Sequence, residues 1–213
     1  MVKPLPALRL LTATSLIVAI VWQITDRLIH SVFRPGEYFA YFTIQSSLVA
    51  AVVLTVSGIR ELKNLEDTKT LNLARLSVST YAIVVAVVYN ALLRGTPVLP
   101  GDPDYGYDWP VLPNEILHVW APIFIVLDLA LTKMNHKLKF KQVFWVLVFP
   151  LAWLAFTIVR GLITNWWAYW FLNPNEDAGV TGVVAYIIVI VIFGLVSASI
   201  SLGLNRLASK AIR

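Results

Sequence analysis

A threonine and a histidine stand in surroundings where a bare polar group is costly. Thr43 lies within Tyr41-Phe42-Thr43-Ile44-Gln45-Ser46-Ser47, and His118 within Asn114-Glu115-Ile116-Leu117-His118. A hydroxyl and an imidazole are the two parts of an activated nucleophile, the ring taking the proton that the hydroxyl gives up on attack. With helix ends placed near Tyr38 and Pro113, each residue lies five positions in. At about 1.5 Å rise per residue, both then sit roughly 8 Å below one surface.

Their neighbours extend the pattern. Thr43, Ser46 and Ser47 are spaced i, i+3, i+4 and share a helix face, a candidate substrate-binding strip. The alternative is packing, because Ser and Thr in membrane helices return hydrogen bonds to their own carbonyls and line close contacts. Asn114 and Glu115 precede His118 by four and three residues, on its face, where either can orient the ring. A histidine inside a membrane faces the protein interior or a water-filled cavity, or else makes a structural bond to the next helix. Pro122 removes a backbone donor one turn further on and favours a kink. Arg160 is the third anomaly: it snorkels to the interface, pairs with Asp26, or offers its guanidinium fork to an anionic group such as a carboxylate. Asn90 and Tyr186 are further candidates for a cavity at this level, and Asp128 is expected to face basic loops at the opposite end.

The elements that must hold these residues follow from composition. The 213-residue chain is 58% hydrophobic and only 14% charged, with a mean hydropathy of +0.74. A soluble domain is nearer half apolar and a quarter charged. Apolar runs cover 5–25, 38–59, 72–93, 114–132, 142–163 and 180–204. Each approaches the roughly 20 residues that cross about 30 Å of hydrocarbon. The expected fold is an all-α membrane protein, a single domain of six transmembrane helices over 1–213. Lys3 and Arg9 precede the first run, but it continues to Ile24 with no small-x-small site before Asp26 and Arg27, so a retained helix is expected rather than a cleaved signal.

Charge distribution supplies the orientation. With the N-terminus inside, Lys3, Arg9, Arg60, Lys63, Lys69, Arg75, Lys133, Lys137, Lys139, Lys141, Arg206, Lys210 and Arg213 are cytoplasmic. Only Arg27, Arg34, Arg94 and Arg160 fall on or near the other face, where the acids Asp26, Glu37, Asp102, Asp104, Asp108, Glu115, Glu176 and Asp177 collect. This bias predicts both termini in the cytoplasm, in the plasma membrane, and basic loops that meet anionic lipid headgroups. The net charge of +5 therefore points to membrane lipids as partners and not to nucleic acid. One connection is long. Residues 94–113 hold five of the eleven prolines and the aromatic run Tyr105, Tyr107 and Trp109, and read either as a lid or as interfacial belt. Trp166, Trp167, Tyr169 and Trp170 read more simply as belt. A match of Phe42-Thr43-Ile44 to Phe156-Thr157-Ile158 is too short to establish an inverted repeat.

Several chemistries are set aside. The chain has no cysteine, which removes disulfides and thiolate sites. A bis-histidine haem lacks a second intramembrane ligand, since His30 and His136 lie in or beside loops. No lysine lies deep in a helix for a retinal Schiff base, and neither a Gly-rich phosphate loop nor a zinc motif occurs. No cofactor is expected.

Six helices, the motif Tyr-Phe-Thr-Ile-Gln-Ser opening the second and Leu117-His118-x-x-x-Pro122 opening the fourth resemble one known family. It comprises the androgen-induced-gene-1 and FAR-17a-like membrane proteins, with bacterial members called the Pr6Pr family. The resemblance implies hydrolysis of lipid esters such as fatty acid esters of hydroxy fatty acids. It also implies an intramembrane threonine nucleophile, Thr43, and a histidine base on another helix, His118. An asparagine that often follows the family threonine by three or four positions is replaced here by Ser46 and Ser47, which would have to stand in for it. The other classes kept open are a transporter or lipid-binding protein with Thr43, His118 and Arg160 around its cavity, and a structural membrane protein.

Overall fold

The computed structural model describes residues 4–211 other than Leu99, Gly101, Pro103, Lys133, Asn135 and His136. Of the residues named above, Lys3, Lys133, His136, Arg213 and the side chain of Lys210 lie outside what is described. Six helices are long and apolar enough to cross a membrane: Leu5–Ile29, Phe42–Leu62, Lys69–Leu93, Val111–Leu131, Phe140–Thr164 and Gly179–Leu207. An even number of crossings leaves both ends of the chain at one end of the bundle, called here the terminal end. Thr43 and His118 belong to the other.

The first crossing is α1 (Pro4–Ile29). It is followed by a single turn, α2 (Pro35–Tyr38), begun by a proline at the position where a missing N–H costs nothing. Tyr41 is extended (φ −64°, ψ 134°) and separates α2 from α3 (Phe42–Leu62). Thr43 is therefore the second residue of its helix and not the sixth of a longer one. Helix α4 (Lys69–Val88) is capped by Thr68, whose hydroxyl accepts the Leu71 N–H, and ends in a π-helical turn over Tyr89–Leu93. The fourth crossing is α5 (Val111–Glu115), a second π turn (Ile116–Trp120) and α6 (Ala121–Leu131). The expected kink at Pro122 takes this form. Pro122 has no N–H for the His118 carbonyl, and just before it Ala121 bonds back five residues to Ile116. The fifth crossing begins as a 3₁₀ stretch (Phe140–Leu147) and continues as α7 (Val148–Thr164), closed by Asn165 in the left-handed conformation (φ 54°). The last is α8 (Gly179–Ala211).

Helix α1 packs along α3, and α4 sits centrally against α3, α6 and α8. Helix α7 is held differently. At the site end Trp153 donates to the Ala40 carbonyl (2.9 Å) and meets Phe42 edge-on. Among the described residues, α7 makes no extended backbone contact with α4 or α8. Only 17% of the most apolar stretch of α8 is buried. Without hydrocarbon around it that helix would expose a continuous apolar face, so lipid is its natural solvent.

The terminal end is closed by buried ions. Asp128 was expected near the basic loops; instead it is 3% exposed between two buried arginines. Arg9 of α1 donates to it through Nε (2.7 Å), and Arg75 of α4 through Nη2 (2.7 Å). Arg9 also reaches Ser57, Glu61 and Thr132, while Arg75 reaches Asp67. Arg9 and Arg75 are thus interior groups and not headgroup contacts. Removing these charges from water is costly, and the arrangement repays it by giving each arginine more than one acceptor.

Candidate functional site

At the other end, the hydroxyl of Thr43 lies 3.4 Å from Nε2 of His118. The two residues are on different helices, α3 and the π turn before α6, and both are buried. Their depths are not matched as expected: Thr43 opens its span, whereas His118 is eighth in Val111–Leu131. The pair forms nonetheless, so the two spans start at different levels and His118 meets the very start of α3.

The ring's other nitrogen settles its tautomer. Nδ1 lies 2.8 Å from the backbone carbonyl of Asn114, which can only accept. Nδ1 therefore carries the hydrogen, and Nε2 turns a lone pair toward Thr43. The orienting group is thus the Asn114 backbone and neither of the side chains suggested by spacing. The Asn114 side chain donates instead to the Tyr89 hydroxyl (2.6 Å), and Glu115 pairs with Arg94 (2.7 Å). Both still serve the ring at one remove. Tyr89 stacks on His118, with centroids 3.9 Å apart and planes inclined by 22°, and Arg94 covers the other face of Tyr89 at 5.0 Å.

Tyr169 completes the immediate contacts of Thr43. Its phenol faces the Thr43 hydroxyl and the backbone N–H groups of Phe42 and Thr43. These are among the first amides of α3, which no helix carbonyl can satisfy. Burial pushes the Tyr169 phenol up from its ordinary pKa, against the neighbouring donors of Thr43 and Phe42, which favour its anion, so it stays neutral. Tyr169 is fixed in turn by stacking on Phe171 (5.2 Å, 6°) and by contact with Tyr41 and Trp153. Spacing gave no sign of this, since the residue sits in an aromatic cluster that fits an interfacial belt equally well. Trp167 also packs inward, its ring lying where a Cβ on Gly161 would be only 2.5 Å away.

Other expected members fall elsewhere. Ser46 and Ser47 are buried away from the Thr43 hydroxyl, in a small recess with Leu117 and Pro122, and Ser46 donates back to the Thr43 carbonyl (3.3 Å). They pack the helix, as serines one turn below a helix start readily do. Arg160 lies over Trp166 at 4.2 Å, makes no ion pair among the described residues, and leaves Nη1 buried without a hydrogen-bond partner. Asp26, its suggested partner, accepts from Tyr107 (2.7 Å) and lies 3.4 Å from His30. Asn90 is exposed and held by its own helix and Arg94, while Tyr186 packs on Trp170 and Phe171.

The long connection is folded down over this end. Asp104 takes both terminal nitrogens of Arg27 (2.9 and 2.6 Å) and one of Arg34 (2.5 Å). The Arg27 guanidinium also lies against Tyr107 and Trp109, at 5.0 and 4.5 Å. Trp109 stacks on Tyr38 and meets Tyr41 edge-on, so the loop roofs the residues that introduce α3.

Below Thr43 opens a cavity of about 110 Å³, apolar in all but a few groups, between α4 on one side and α7 and α8 on the other. The arrangement can deprotonate a hydroxyl beside a hydrocarbon-lined space. No grouping of His, Asp and Glu that could hold a metal occurs among the described residues. No known protein family, curated protein or solved structure matches the chain.

Proposed function

We propose that the protein is an intramembrane hydrolase of lipid esters, with Thr43 as nucleophile and His118 as general base. One observation carries the reading: a buried imidazole whose Nδ1 is held by a carbonyl presents Nε2 to a buried hydroxyl at 3.4 Å. Catalytic hydrogen bonds are often this long without substrate and tighten in the complex. The likeness of the Thr43 and His118 segments to the androgen-induced-gene-1 and FAR-17a-like proteins supports the same reading and suggests fatty acid esters of hydroxy fatty acids as the substrate class. The lysine and arginine bias supports cytoplasmic termini in a plasma membrane, with the dyad toward the outer leaflet.

In this mechanism Nε2 of His118 takes the Thr43 proton as Oγ1 bonds to the ester carbonyl carbon. Collapse of the tetrahedral species breaks the bond to the alcohol oxygen, which leaves with the proton held by His118. Water then adds to the acyl-threonine, giving a proton to the same ring, and the acid is released as the ring returns that proton to Thr43. The Tyr169 O–H and the first amides of α3, beside Thr43, are assigned as oxyanion donors that turn to the substrate, each contributing about 3 kcal/mol to lowering the barrier.

Purified wild type, Thr43→Ala and His118→Ala are compared for hydrolysis of a lipid ester, with folding checked by thermal denaturation. Wild-type turnover lost in both folded variants is the expected result; turnover that survives Thr43→Ala removes the nucleophile from the proposal. The sideways-open cavity equally suits a lipid carrier or transporter. For that reading, a fluorophosphonate probe leaves Thr43 unlabelled and Thr43→Ser leaves flux in proteoliposomes intact.

A further inference from the structure

The cavity below Thr43 has a definite length and a closed chemistry. Tyr89, beside His118, stands at its upper rim, and Thr80 on the same helix stands at its floor. At 1.5 Å per residue those nine positions span about 14 Å, the reach of a medium-length acyl chain. Gly194 of α8 and Leu147 before α7 complete the floor. The polar groups along the way are already satisfied: Thr80 donates to the Leu76 carbonyl (2.9 Å) and Tyr81 to the Val146 carbonyl (2.9 Å). A guest therefore finds one polar station, at Thr43, and below it only hydrocarbon walls. The 3₁₀ start of the fifth crossing packs on α4 and α8, whereas α7 itself makes no extended backbone contact with either, so the cleft is least covered beside α7.

Resting on the hydrolase reading, we propose that this cleft is a ruler for the acyl chain of the ester. The carbonyl sits at Thr43 and the chain runs down between α4 and α8 until it meets the floor at Thr80 and Gly194. Gly194 sets the depth. A Cβ there would meet only Val84, at an ordinary 3.8 Å, so the position has room that a larger side chain would take from the chain end. The chain enters from the membrane through the gap beside α7, so the substrate is bilayer-borne and presents one acyl tail at a time.

The test uses detergent-solubilised full-length protein and p-nitrophenyl butyrate, octanoate and laurate. Gly194→Phe and, from the facing wall, Val84→Phe are each expected to lower the laurate-to-butyrate ratio of kcat/KM by roughly tenfold or more. Gly194→Ala, which keeps most of the space, shifts it little. An unchanged ratio in both phenylalanine variants, with each folded, overturns the ruler while leaving hydrolysis intact. A second readout does not need turnover: lauric acid carrying a diazirine at its methyl end is photo-crosslinked and the label mapped by mass spectrometry. Label near Thr80 and Gly194 in wild type, absent in Gly194→Phe, supports the cleft even if no ester is hydrolysed. Label confined to lipid-facing positions, or displaced as well by a diacyl phospholipid as by a fatty ester, identifies a bilayer-filled groove and overturns the proposal.

Discussion

The ring of Tyr89 lies flat against the ring of His118, with centroids 3.9 Å apart, and the Asn114 residue that holds Tyr89 by its side chain holds His118 by its backbone. One residue therefore sets the base through two routes. Tyr89→Leu removes the stacking plane and leaves the Asn114 amide without this partner. The expected result is a roughly tenfold fall in kcat with little change in KM, as for a mispositioned base, since proton transfer contributes 10²–10⁴-fold in all. Tyr89→Phe keeps the plane and loses only the hydroxyl. Its kcat stays near wild type while stability falls by about 1 kcal/mol, the ordinary worth of a neutral hydrogen bond. Steady-state kinetics and thermal denaturation of the two variants make the comparison.

Tyr169 is the group whose loss most directly tests the oxyanion assignment. Tyr169→Phe leaves the aromatic stack on Phe171 but removes the oxygen that faces Thr43 and the amides of Phe42 and Thr43. A decrease in kcat of about 10²-fold at unchanged KM is expected for the removal of one oxyanion donor. A rate equal to wild type would assign Tyr169 to packing alone.

At the terminal end, Asp128 neutralises two buried arginines at once. Asp128→Asn strips both of a full charge partner in a dry environment, for an expected loss of about 3–5 kcal/mol. Glu61, a third exposed, is a weaker partner of Arg9, and Glu61→Gln is expected to cost at most about 1 kcal/mol. Melting temperatures in detergent rank the two, and an Asp128→Asn protein as stable as Glu61→Gln would contradict the account of the cluster.

The roof over the site predicts alkaline lability. Burial, and secondly the hydrogen bond to Asp26, raises the Tyr107 phenol above its ordinary pKa of 10.0. A raised folded-state pKa means that the stability it represents is whole below pH 10 and is lost as pH climbs from there toward the folded value. Wild type is therefore expected to loosen above pH 10, reported by proteolysis within 94–110. Tyr107→Phe starts from lower stability and shows a shallower decline over the same range. Asp104→Asn, which weakens the tie to Arg27 and Arg34, exposes the same segment to protease at neutral pH.

The crossings and the Thr43–His118 pair were legible in the sequence because both depend on local signals: unbroken apolar runs, and polar groups that a membrane tolerates only with a partner. The depth argument paired two residues that are in contact, but by a wrong count. It took the second crossing to start at Tyr38, whereas the extended Tyr41 ends α2 and begins α3 afresh. What surrounds the pair was not legible. Tyr169 reaches Thr43 from a loop far along the chain, and the satisfaction of Ser46 by its own helix depends on a rotamer. The arginines at 9 and 75 looked like loop charges because sequence position near a helix end does not say which face a residue turns inward. Here that face met Asp128.

The bundle is tied unevenly. Charges bind α1, α3, α4 and α6 together at one end, and α7 has no share in that bond. Segments with few tertiary contacts open at the lowest free energy. The stiffness of the protein therefore falls from the ionic end toward the flank on which α7 leans, and in hydrogen exchange α7 gives up its protection first. The most yielding wall of the molecule is the one beside the hydroxyl, so opening there can proceed while the four tied helices stay in register.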